Sequence, residues 1–244
     1  MPEGPSLVIL KEKTAYLINK TVAEASGYAE LDMDALSHKK IIDLKTWGKH
    51  FLICFSNFTI RIHFGLFGSY QLHEPKKKIN PKLALHFHDD NLFFYVCTIK
   101  RLDQPLDELY DWEADVMGDR WKPAKALKKM KLLGDQMIGD VLLDQKIFAG
   151  VGNIIKNEVL FRCKVHPESL VKNIPEARLK SIVRECREYS FDFLRWKRNN
   201  ELSRHFEVYE QKKNEASGKD VRRKETGKTR RSSYFIEKVQ KLYA

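Results

Sequence analysis

At 244 residues with 43% apolar side chains, the chain can bury one or two modest cores, which excludes wholesale disorder. Lys and Arg outnumber Asp and Glu by 44 to 33, a formal charge of +11 that fits a polyanionic partner or simply a basic soluble protein. No run reaches the ~18 to 20 apolar residues of a membrane span, and the acidic, proline-bearing start Met1-Pro2-Glu3-Gly4-Pro5 is a poor signal peptide.

In chain order, the proline-bounded start is followed by Leu7-Val8, Leu10 and Leu17-Ile18, a helix-like stripe within residues 1–20. From Thr21 to about Cys97 the pattern is that of strands. Apolar residues fall on every second position in Phe58 to Phe64, and His50 to Phe55 and Lys82 to His88 alternate similarly. Asp90-Asn91 reads as a hairpin turn into Leu92 to Val96. Several short strands with tight turns predict a sandwich or barrel.

After about Trp121-Lys122-Pro123 the period becomes helical: Ala124 to Leu133, Asp135 to Leu143, Ile154 to Phe161, and Pro175 to Arg198, with Pro175-Glu176 as its start signal. Lys197 to Lys241 holds 14 basic against 7 acidic residues, +7 of the chain's +11. That run reads either as a solvated tail or as a packed element, with Ser232 to Ile236, Val239, Leu242 and Tyr243 as its apolar contacts. Cys54, Cys97, Cys163 and Cys186 are too scattered for a C-x-x-C knuckle or a disulfide framework. They read as reduced thiols of an intracellular protein.

Two constellations can carry chemistry, although Met1-Pro2-Glu3 taken alone also reads as an ordinary chain start. Removal of Met1 would leave Pro2 as a secondary amine titrating near ~8, partly neutral where a lysine amine near ~10.4 is not. Such an amine can attack a deoxyribose C1′, expel the base and form an iminium that acidifies the C2′ proton. Glu3 beside it can serve as the acid. The second is Gly150-Val151-Gly152-Asn153, preceded by Leu142-Leu143-Asp144-Gln145 and followed by Glu158 and Leu160. It reads as a tight turn whose amides and Asn153 side chain suit a phosphate, or as an ordinary interhelical turn with an N-cap Asn.

Together these two motifs, roughly 140 residues apart, resemble the formamidopyrimidine-DNA glycosylase and endonuclease VIII superfamily. The resemblance implies an α+β fold: an N-terminal β-sandwich (1–121), a helix–two-turns–helix domain (122–204) and a C-terminal hairpin finger (205–244). It implies Pro2 and Glu3 as nucleophile and acid, and Asn153 on the phosphates of the lesion strand. Trp47-Gly48-Lys49-His50 resembles the turn that delivers a catalytic lysine, here Lys49. Gly65-Leu66-Phe67-Gly68 resembles the loop that fills the gap left by an everted base, with Leu66 as wedge and Phe67 beside it; a core Leu66 is the competing reading. Arg231 matches the finger arginine that aids elimination, with Arg230 adjacent in register.

Where most members carry two Cys pairs, the aligned positions are Ala216, Lys219, Ile236 and Val239, so the finger looks zincless. Thr98-Ile99-Lys100-Arg101-Leu102 lacks the Phe of the purine-directed branch, which leans the chain toward endonuclease VIII. The implied function is base excision of oxidised bases, pyrimidines foremost, with β- and δ-elimination on damaged double-stranded DNA. The enzyme would be an intracellular monomer needing no metal or organic cofactor. The alternative is a non-catalytic damaged-DNA binder on the same scaffold.

Overall fold

The computed structural model describes residues 2–244 and comprises two compact units, Met1–Tyr110 and Asp111–Ala244. Met1, whose removal the sequence reading requires, lies outside the described residues.

The first unit opens with helix α1 (Gly4–Thr14), with a proline in its first turn where a missing N–H costs nothing. Leu7, Leu10 and Thr14 share its buried face, and the helix packs on β2 (Asp43–Trp47) and β3 (His50–Cys54). Two antiparallel four-stranded sheets follow. One runs β2-β3-β4-β8, with β4 (Thr59–His63) and β8 (Thr98–Leu102). The other runs β1-β6-β7-β5, with β1 (Glu24–Ser26), β5 (Ser69–Leu72), β6 (Leu83–His86) and β7 (Asn91–Tyr95). Both sheets contribute to one core containing Phe51, Ile53, Ile60, Ile62, Leu85 and Phe94. The expected sandwich strands therefore appear where alternation placed them, and a short helix α2 (Leu106–Leu109) closes the unit.

The second unit holds α3 (Pro123–Leu132), α4 (Ile138–Val141), α5 (Asn153–Arg162) and α6 (Glu176–Arg198), then a hairpin of β9 (Arg222–Thr226) and β10 (Arg231–Phe235). The helix expected over Asp135 to Leu143 is only one turn. Its leading amides bond elsewhere: Ile138 N–H donates to the Ser169 carbonyl and Gly139 N–H to that of Pro167. Nor is the basic C-terminal stretch a solvated tail. Val208, Tyr209, Phe235 and Ile236 are buried, although Leu242 is half exposed. The four cysteines are free thiols, three of them buried. No helix among the described residues is long and apolar enough to cross a membrane.

Candidate active site

Glu3 occupies the N-cap position of α1, fully buried, with Pro2 half-buried before it. The Glu3 carbonyl accepts the Ser6 N–H at 2.8 Å, so the first helical turn fixes its backbone. Lys49 lies in the two-residue turn between β2 and β3, where Gly48 takes φ +54°, a conformation that suits glycine in a tight hairpin. The His63 Nδ1–H donates to the Lys49 carbonyl at 3.1 Å, tying this turn to β4. Below it, His50 Nδ1 meets the Tyr110 hydroxyl at 3.1 Å, and Trp47 packs on both rings. Burial, with Arg61 and His63 nearby, pushes His50 down to about 3, so the ring stays neutral.

Leu66 and Phe67 project from the turn after β4, 46% and 81% exposed. That geometry removes the core reading of Leu66. Gly65 with φ +57° opens the turn, and the Gly68 N–H closes it on the Phe64 carbonyl at 2.9 Å. At Gly68 a Cβ would lie 2.3 Å from that same oxygen, so the position has no room for a side chain.

In the second unit the segment between α4 and α5 is braced from inside. Gln145 donates to the Leu143 and Val151 carbonyls at 2.8 and 3.0 Å and accepts the Gly150 N–H at 3.0 Å. This explains the glutamine of the Leu-Leu-Asp-Gln run: it holds the double turn that ends at Asn153. Asn153 is buried. Its Nδ2 donates to the Ser232 carbonyl at 2.9 Å, while its Oδ1 is buried with no hydrogen-bond partner among the described residues. Arg231 is half-buried as the first residue of β10, directly before that carbonyl; Arg230, in the turn at φ +49°, is exposed. Asn153 and the Arg231 backbone are thus brought together.

Sequence reasoning missed what holds the hairpin. An isolated two-stranded hairpin is marginal in water, and among the described residues no strand pairs with the second edge of β10. Helix α5 covers it with side chains. Asn157 Oδ1 accepts the Tyr234 N–H at 2.9 Å, and Lys156, 1% exposed, donates to Ser233 Oγ at 2.9 Å. Glu158, also buried, accepts the N–H groups of Glu207, Val208 and Tyr209 at 3.0, 3.0 and 2.7 Å. At the hairpin tip, Asp140 accepts the Lys228 N–H at 3.0 Å, and a Cβ on Gly227 would strike the same carboxylate. A Lys-Asn-Glu run on a helix carries no sign of burial by itself; only the doubled packing of α5 makes it so. The four finger positions Ala216, Lys219, Ile236 and Val239 include no metal-ligating side chain, and Ile236 is buried as an apolar residue.

Comparison with known proteins agrees with this architecture. Residues 1–101 match the formamidopyrimidine-DNA glycosylase N-terminal domain, and residues 119–189 match the H2TH domain of the same glycosylase. Solved structures share the fold: a viral DNA glycosylase (TM-score 0.84, 22% identity, 98% of this chain and 100% of that one) and Lactococcus lactis formamidopyrimidine-DNA glycosylase bound to DNA containing an abasic site (0.86, 18%, 98% and 99%). The chain belongs to the formamidopyrimidine-DNA glycosylase and endonuclease VIII superfamily, on its endonuclease VIII side. Bovine endonuclease 8-like 2 is 30% identical over 86% of this chain and 72% of its own length. Xenopus laevis endonuclease 8-like 3 is 26% identical over 94% of this chain, but the chain spans only 39% of that relative.

Proposed function

We propose that this chain is a DNA glycosylase and abasic-site lyase of base excision repair. The observation that carries the reading is Pro2-Glu3 at the head of α1, with Glu3 buried at the N-cap, in a chain of this superfamily. With Met1 removed, the Pro2 nitrogen uses its lone pair to attack C1′ of the damaged nucleotide. Glu3 supplies a proton to the ring oxygen as the sugar opens, the base departs with its bonding electrons and takes up the proton that the Pro2 nitrogen sheds, and C1′ is left as an iminium of Pro2. Loss of the C2′ proton then pushes electrons toward C3′, and the 3′ phosphate leaves as β-elimination. A second elimination releases the 5′ phosphate, and water hydrolyses the iminium to free the enzyme.

Lys49 contacts the phosphate and sugar beside the lesion in this reading, and Arg231 stabilises the phosphates that leave. Asn153 acts with Arg231, because its amide holds the Ser232 carbonyl one residue away. Leu66 enters the stack with Phe67 beside it. Oxidised pyrimidines are the preferred lesions: the chain passes from β7 to β8 through Val96 and Cys97 alone, leaving no loop for a further gap-filling aromatic. The finger works without metal because α5 side chains perform the cross-linking that ligands would. The protein acts as a monomer on damaged double-stranded DNA inside the cell.

Glu3→Gln tests the division of labour. Base excision should fall by about 10²-fold or more, as for loss of a general acid, while a preformed abasic site, from which no base must depart, is still cut. Equal loss on both substrates would reject Glu3 as the acid.

A further inference from the structure

Among the described residues, eleven large apolar side chains are exposed, and four of them, Tyr28 (59%), Leu66, Phe67 and Val96 (52%), line one pocket of about 380 Å³ in the first unit. Apolar exposure concentrated in this way marks a surface that receives a partner. His63, Lys82 and Thr98 complete the lining with polar groups. The size lies near the lower end of the ~300–1,000 Å³ typical of small-ligand sites, so it admits a single flat ring system.

The rim is built into the backbone. Gly27 takes φ +127°, and a Cβ there would sit 2.4 Å from the Lys82 carbonyl. That carbonyl accepts the N–H groups of both Tyr28 and Ala29, at 3.1 and 2.9 Å. Tyr28 is therefore held against Lys82, whose ammonium lies 6.0 Å from the centre of its ring. Val96 takes φ +51°, an outlier for a β-branched residue, where the chain crosses between sheets. Strain of this kind persists only where the surrounding structure enforces it, and it clusters at binding sites.

We propose that this pocket receives the unpaired base on the strand opposite the lesion. The inference rests on the functional reading above. Aromatic walls suit the π-face of any base. Lys82, in the lining itself, matches the charge of its phosphodiester. Pro2 and Glu3 are not among the residues that line the pocket. Leu66 and Phe67 do line it. A wedge that takes the place of an everted nucleotide faces the base that has lost its partner, and the wall behind that wedge is where the base can stack.

The test is photocross-linking with 5-iodouracil in a duplex carrying a tetrahydrofuran abasic analogue. With the label opposite the analogue, the adduct should map by mass spectrometry to the peptide containing Tyr28 and disappear in Tyr28→Ala. With the label in the lesion strand, Tyr28 should stay unlabelled. On abasic substrates, Tyr28→Ala and Lys82→Ala should each lower the duplex-to-single-strand ratio of cleavage rates at least about fivefold. An opposite-strand adduct elsewhere, labelling of Tyr28 from the lesion strand, or an unchanged ratio overturns the pocket assignment while binding and cleavage by wild type persist. If the pocket serves a protein partner, both DNA readouts ignore Tyr28, which also overturns it. Failure of the wild type to bind the abasic duplex at all overturns the functional reading and the pocket together.

Discussion

His50 shows how one half-buried ring sets a pH dependence. It sits between Trp47, His63 and Tyr110 beneath the Lys49 turn, and burial, then Arg61 and His63, hold it down to about 3. In the unfolded chain the ring titrates near ~6.5. Because the folded value is the lower one, the unfolded state binds the extra proton first. The contribution is fully present above about pH 6.5 and is lost as pH falls toward 3, by at most about 1.4 kcal/mol per pH unit. His50→Gln should remove this component. Urea midpoints should fall more steeply between pH 6.5 and 4 in the wild type than in the variant, and parallel slopes would reject the half-buried neutral ring. Nothing in the Gly-Lys-His run itself reports it, because His63 and Tyr110, which pack on the ring with Trp47, come from elsewhere in the chain, Tyr110 from 60 residues away. Lys49 and Gly48 were legible for the opposite reason: a two-residue turn declares itself in adjacent residues.

Among the elements, the strands around His50, Phe58 and Lys82 and the helix α5 itself are legible in the sequence, whereas the burial of the polar residues of α5 is not. Residues 153–160 of α5 are all buried, polar ones included, because the helix packs on the helical core and also covers the hairpin edge. No amphipathic pattern survives that double duty. The partners are separated by long stretches of chain, Lys156 from Ser233 and Glu158 from Tyr209. Glu158→Gln tests the arrangement. The amide keeps the shape but turns a donor toward backbone N–H groups, so stability should fall by about 1–3 kcal/mol, with protection of the 207–209 amides lost first in hydrogen exchange. Unchanged exchange at those amides would mean that Glu158 does not anchor the finger. The truncated α4 has the same origin: its amides answer to Pro167 and Ser169, which a window over 135–143 does not contain.

For the whole molecule, the family is legible in the sequence because its two motifs are local and far apart, whereas the anchoring of the hairpin on α5 is not, because it is made of long-range contacts. The charge of +11, mostly carried by the C-terminal stretch, belongs to the proposed DNA partner rather than to the fold. The reaction proposed turns on the Pro2 nitrogen as nucleophile, which borohydride trapping can locate. Protein whose intact mass shows Met1 removed is mixed with abasic duplex and reduced, and the covalent product is digested and mapped. One adduct is expected, on the peptide that begins at Pro2, with trapping sharply reduced in Pro2→Gly because the ring no longer positions the amine. An adduct on Lys49 or another amine, or tight binding without any adduct, would contradict it.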